Sequence, residues 1–100
     1  MSWKLLVKSS AESDILDGFV DYEERLYGLG DRFLNEIETS FNRVKSNPYQ
    51  YQEISEGIRR AITHTFPYII FYTIEKNMIF VIAVIHATQD PKYIARRLIT

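Results

Sequence analysis

Two histidines and a few arginines are the side chains in this 100-residue sequence whose type and spacing suggest chemistry on a substrate. Arg60 and His64 stand four apart on one side of an alternating run, and His86 ends the most apolar stretch of the chain. An arginine that holds a phosphate and a histidine that moves a proton are the parts of a metal-independent nuclease. The plain alternative is a pair of solvated groups at a strand edge, with His86 hydrogen-bonded to a neighbouring loop. Arg59, Arg96 and Arg97 form a second basic set, suited to contact with a protein or nucleoprotein target. The bland reading there is a solvated helix face for the pair and a lone surface arginine for Arg59. With no cysteine, disulfides, thiolate nucleophiles and Cys-based zinc sites are all excluded. Two histidines leave little for any other metal site, so neither metal nor cofactor is expected.

The charge pattern sets a second constraint. Twelve Lys+Arg against thirteen Asp+Glu give a net charge of −1, a handicap for a nonspecific nucleic-acid binder. That total hides a polarity. Residues 1–58 carry six Lys/Arg and eleven Asp/Glu, whereas residues 59–100 carry six and two. Acidic and basic halves in one domain predict two different surfaces, and the many carboxylates of the first half read as solvation rather than an acid–base pair. Hydrophobic residues at 46% and charged residues at 25% are ordinary globular composition. The longest apolar run, 78–85, falls far short of the roughly 20 residues that span a bilayer. With no signal-like apolar region after the N-terminus, a cytoplasmic protein away from membranes is expected.

The elements that must carry these groups follow from periodicity. Residues 3–8 predict a strand with Trp3, Leu5 and Val7 on one side. Ser9 and Glu12 fit a capping box, and Ala11, Ile15, Phe19, Tyr22 and Leu26 mark one face of a helix ending near Tyr27. After Gly28-Leu29-Gly30, Asp31 begins a second helix with Phe33, Leu34, Ile37, Phe41 and Val44 as its stripe. Asn47-Pro48 ends it, since a residue before proline is pushed from the helical region. So short a connection favours an antiparallel helical hairpin. Residues 48–57 read as a polar loop, in which Tyr49 and Tyr51 are the aromatics left open. Tyr22, Phe33, Phe41 and Phe71 are simply core. Three strands follow, over 58–64, 68–74 and 78–86, with a tight turn at Glu75-Lys76-Asn77. The last is apolar almost throughout, as a central strand covered on both faces should be. Asp90-Pro91 opens a short tail helix that Tyr93, Ile94 and Leu98 anchor. The expected fold is α+β: an N-terminal strand, a two-helix hairpin packed on a mainly antiparallel sheet, and a short C-terminal helix, in one domain over 1–100.

This order, with its local signatures, resembles the RelE/ParE superfamily of toxins from type II toxin–antitoxin modules. The residues that carry the resemblance are Ala11-x-x-Asp14-Ile15 with Tyr22, Gly30-x-x-Phe33, Asn47-Pro48, Phe66-Pro67-Tyr68-Ile69-Ile70-Phe71-Tyr72, and Ala83-Val84-Ile85-His86 followed by Asp90-Pro91. They cover nearly the whole chain in order. RelE-like members cut messenger RNA on the ribosome with basic residues on the sheet and often a C-terminal tyrosine. ParE-like members share the fold and poison DNA gyrase without nuclease chemistry.

Position 69 separates the two. RelE-like nucleases place an arginine there, in patterns such as Tyr-Arg-Leu-Val-Tyr, because a guanidinium stabilises the charge gathering on the departing phosphate. Here it is Ile69. His86, Asp90-Pro91 and Arg96-Arg97 look like the ParE pattern, although many ParE-like sequences have arginine where this chain has Gln89. The resemblance therefore implies a ParE-like toxin acting by binding, with target contacts at Arg59, Arg60, Arg96 and Arg97. DNA gyrase is the implied target, and a cognate antitoxin the implied partner, laying apolar side chains into grooves of the toxin. The alternatives are a RelE-like endoribonuclease acting on ribosome-bound mRNA through Arg60, His64 and His86, and an inactive relative kept as an antitoxin-binding partner. A homo-oligomer and a hetero-oligomer with antitoxin both remain open.

Overall fold

The first strand runs straight into the first helix, with no side-chain cap between them. In the computed structural model, which describes residues 3–99, β1 (Lys4–Val7) leads through the extended Lys8 into α1 (Ser9–Arg25). The Lys8 amide still bonds the carbonyl of Val81 at 2.9 Å while its own carbonyl accepts from Glu12 at 2.9 Å. The predicted Ser9/Glu12 capping box therefore does not form: Lys8 is the N-cap, with no side-chain cap. Ser10 instead donates its hydroxyl to the carbonyl of Ile82.

Ala11, Gly18 and Tyr22 are the buried positions of α1, and Ile15 and Phe19 pack beside them. Leu26 was expected on that stripe, but it is extended and 61% exposed because the helix ends at Arg25, where the chain must reverse. Gly28 makes the reversal at φ 87°, a left-handed angle that favours glycine. α2 (Leu29–Ser46) starts two residues before the predicted Asp31. The Glu23 carboxylate, still on α1, accepts from the amides of Gly28 and Gly30 at 3.0–3.1 Å and so satisfies the N-cap amide and one free N–H in the first turn of α2. Phe33, Ile37 and Val44 are buried as the stripe predicts, and Asn47 closes the helix.

The presumed loop over 48–57 is partly ordered into a 3-10 turn, Pro48–Gln50, and a three-residue edge strand, β2 (Glu53–Ser55). All three β2 residues are exposed, so no alternation marks it. The remaining strands are β3 (Ile58–Ile62), β4 (Tyr68–Glu75) and β5 (Met78–His86), followed by α3 (Pro91–Ile99). They make one mixed sheet in the order β1-β5-β4-β3-β2, with β1 parallel to β5 and the other pairs antiparallel.

Both faces of this sheet are covered. The α1/α2 hairpin packs on one face against Tyr68, Ile70, Tyr72, Ile79, Val81 and Val84. On the other face Phe71, Ala83 and Ile85 form a smaller core, closed by Tyr93, Ile94 and Leu98 of α3. An α+β fold of strand, helical hairpin, mixed sheet and tail helix is thus what the sequence builds, with four strands rather than three after the hairpin. Among the described residues no helix is long and apolar enough to cross a membrane.

Candidate functional site

The position of each candidate side chain follows from register. Arg60 lies opposite Phe71, and residues directly paired across an antiparallel ladder share a face. Phe71 belongs to the small core under α3, so Arg60 projects on that side, where it reaches Gln52 Oε1 at 3.2 Å. His86 lies opposite Tyr68, which belongs to the hairpin side, and the two rings meet edge-on at 5.2 Å. Simple alternation from Val81 would have put His86 on the same face as Arg60. A bulge reverses it. Tyr72 pairs with Val81 and Phe71 with Ala83, which leaves Ile82 as the extra residue and flips every later side chain of β5.

His64 joins neither group. β3 stops at Ile62, so the predicted run to 64 is two residues too long. Thr63 turns inward, its hydroxyl bonding the carbonyl of Phe66 and its amide the carbonyl of Tyr68. His64 is exposed, with its backbone amide on the Glu36 carboxylate at 2.6 Å. Arg60, His64 and His86 are not brought together. Ile69, at the position that separates nucleases from binders, faces the α3-side core.

The second basic set divides in two. Arg59 is tied down: it donates to the carbonyl of Tyr51 at 2.6 Å, pairs with Glu53 at 3.4 Å, and lies over the ring of Tyr49 at 5.2 Å. Tyr49, 57% exposed, also meets Trp3 edge-on, while Tyr51 packs against the hairpin-side core. Arg97 is tied more firmly. Its guanidinium grips both oxygens of Asp14 at 2.7 and 3.0 Å and donates to the Tyr93 hydroxyl at 2.8 Å. Hydrogen bonds to Asp14 push its pKa still higher than usual. Arg96 is exposed and makes no ion pair among the described residues.

Asp14 is the residue that sequence reasoning undervalued as one of several solvated carboxylates. Besides Arg97 it accepts the Val84 amide at 2.9 Å. That amide lies beyond the end of β1, whose last pairing is Val7 with Val81. One carboxylate therefore seals the open edge of β5 and, 83 residues along the chain, pins α3 to α1. Its signal was position: Asp14 is three residues after Ala11 and four before Gly18, inside the buried stripe rather than opposite it.

Between α1, the end of β5 and α3 lies a polar cleft of about 360 Å³, lined among others by Asp14, Asp17, Asp21, Tyr68, His86 and Arg97. The His86 ring is oriented by Thr88, whose amide donates to Nδ1 at 3.1 Å and whose hydroxyl lies 2.7 Å from it. Three aspartates against Arg25 and Arg97 make the cleft acidic. A phosphodiester would meet repulsion there. Among the described residues no group of three or more His, Cys, Asp or Glu side chains is placed to hold a metal.

A second depression is apolar. Val7, Ile15, Leu16, Phe19 and Leu34 line a groove of about 440 Å³ beside the hairpin. Leu16 is 60% exposed within it.

Comparisons with known proteins fit this geometry. In the search of solved structures, a chain of the chromosomal ParDE TA system from P. aeruginosa superposes with a TM-score of 0.71 at 12% identity, covering 84% of this chain and 95% of that one. At that identity the likeness concerns the fold. No curated protein sequence matches the chain. The family described as the ParE toxin of the type II toxin–antitoxin system, parDE, matches residues 5–91, from β1 to the first residue of α3. That span includes the bulged strand, Asp14 and the isoleucine at 69, though not Arg97, and it makes this chain a member of the ParE toxin family.

Proposed function

We propose that this ParE-family toxin arrests growth in the cytoplasm by binding DNA gyrase rather than by cutting RNA, and that a cognate antitoxin neutralises it. One observation carries the choice: Arg60 and His86 project on opposite faces of the sheet, with Ile69 where a nuclease needs a guanidinium. General acid–base chemistry on a phosphodiester needs its groups within hydrogen-bond reach of the same reacting phosphate. Opposite sheet faces do not offer that.

Target contact is assigned to the α3 side, through the exposed Arg96 and the half-buried Arg60, with Arg97 fixing α3 in place; Arg59, opposite Tyr72, lies on the hairpin side and is left out of that surface. The antitoxin is assigned to the apolar groove beside the hairpin. An amphipathic segment seated there would cover Leu16 and Leu34, large apolar side chains otherwise left in water. The P. aeruginosa structure is of a ParDE system, which supports a protein partner of this kind.

Purified toxin should inhibit gyrase supercoiling and leave message on translating ribosomes uncut. The double variant His64→Ala/His86→Ala should remain toxic, while Arg60→Glu/Arg96→Glu should not. Cleavage of message in the ribosomal A site, abolished by the histidine variant, would replace this reading with the endoribonuclease.

A further inference from the structure

The polar cleft between α1 and α3 is lined at its base by Tyr68, whose ring packs in the hairpin-side core. Tyr68 is only 8% exposed, yet its hydroxyl has no hydrogen-bond partner among the described residues. The hydroxyl oxygen is not a sealed one: among the described residues only Ser40 Oγ is buried without a partner. The Tyr68 hydroxyl opens into the cleft and is kept accessible by Gly18, where a Cβ would sit 3.1 Å from the hydroxyl oxygen and 2.8 Å from the Phe33 ring. Any side chain at position 18 would close the floor.

Charge says what the floor faces. Asp14 is neutralised by Arg97. Asp21 has only the loose contact with Arg25 at 3.9 Å, in which both side chains are about two-thirds exposed. Asp17 has no ion pair among the described residues. Two exposed carboxylates and Tyr68 thus share one cleft, with Gln89 and His86 also in its lining. Burial, with help from the neighbouring carboxylates, pushes the Tyr68 phenol up to about 12, so it stays protonated and keeps its oxygen lone pairs for a donor.

We propose that this cleft is a binding site for an arginine side chain of a protein partner, its guanidinium donating to Asp17 and Asp21 at the rim and to the Tyr68 hydroxyl at the floor. A planar fork of five donors can bridge acceptors at two depths, whereas the compact ammonium of lysine satisfies one end. About 360 Å³ is at the small end of ligand sites, the scale of one side chain rather than a peptide. The cleft is lined by α1 on one side and by β5 and α3 on the other, and neither Arg60 nor Arg96, assigned to the target, lines it. It therefore stands or falls independently of gyrase.

The test is an NMR titration of the full-length 15N-labelled protein with Nα-acetyl-arginine methylamide. Saturable shifts are expected at the amides of Gly18, Val84 and Thr88, with a Kd on the order of 1 mM. Asp17→Asn/Asp21→Asn should weaken binding by about tenfold and Tyr68→Phe by about threefold, and the lysine analogue should bind several times more weakly. Both carboxylates are exposed, so the double variant keeps its fold even if Tyr68→Phe does not. No saturation at about ten times that concentration, an equal response to Nα-acetyl-glutamate methylamide, or unchanged binding in the double variant would overturn the proposal. Tighter binding of free arginine than of the blocked form would reassign the site to a small molecule and overturn it as well.

Discussion

The two faces of the sheet are held by different physics. On the hairpin face, two helices of 17 and 18 residues bury an interlocked aromatic cluster: Tyr22, Phe33, Phe66 and Tyr68 have ring centroids 4.8–6.3 Å apart. On the other face a nine-residue helix contributes no fully buried side chain and is pinned by one ion pair, Arg97 with Asp14. Dispersion and apolar burial scale with contact, so stability is concentrated under the hairpin. An ion pair fixes position with less burial. The α3 face is therefore the one whose cover can be released without unfolding the domain.

The largest effect expected from this difference is in the cluster. Phe33→Ala, at a fully buried position, should cost about 3–5 kcal/mol in urea unfolding, whereas Leu98→Ala on α3 should cost roughly 1 kcal/mol. Equal costs would erase the contrast.

Alkaline pH gives the next largest effect, on the hairpin side again. Burial pushes the phenols of Tyr68 and Tyr72 up to about 12 from an ordinary 10, and Tyr72 also donates to the carbonyl of Pro48 at 2.6 Å. Raised folded-state values mean that the folded chain keeps protons which the unfolded chain has lost. Their contribution is therefore complete below pH 10 and declines as pH rises from 10 through 12. A few kcal/mol should disappear across that window in a pH series of urea midpoints. Tyr72→Phe should flatten part of the decline.

Arg97→Ala comes third, at roughly 2–3 kcal/mol, because it strands the carboxylate of Asp14. Amide exchange should accelerate throughout α3 and hardly at all in α2. Uniform acceleration would mean that α3 is part of one cooperative unit with the hairpin.

Much of this was legible from local pattern, and what was not depends on distance. The stripes of α1 and α2 and the apolar β5 are visible because burial imposes a period of 3.6 on a helix and leaves a doubly covered strand apolar throughout. β2 was invisible because three exposed edge residues carry no period. The side on which His86 lies was illegible for a sharper reason. A single extra residue at Ile82 inverts the alternation, and nothing about an isoleucine in a run of apolar residues marks it as the bulge. Asp14 and Arg97 are 83 residues apart, so their pairing exists only once the sheet has brought α1 and α3 together. The arginines of the basic half did not act as a set: Arg59 and Arg97 became struts, while Arg60 reaches Gln52 and Arg96 makes no ion pair among the described residues.

The smallest effect tests whether the hairpin's stability resides in its core or in its turn. Glu23 accepts from the amides of Gly28 and Gly30, so it caps α2 from the preceding helix. Glu23→Gln keeps an acceptor of similar shape and removes the charge from a helix N-terminus. It should therefore cost only about 0.5–1 kcal/mol, and less in high salt, where the dipole interaction is screened. Urea unfolding at low and high salt measures both quantities. If the loss approached that of Phe33→Ala, the aromatic cluster would depend on the turn for its geometry, and the hairpin face would owe its stability to one capped reversal. A small, salt-sensitive loss leaves the cluster as the element that holds the sheet while α3 remains free to respond to a partner.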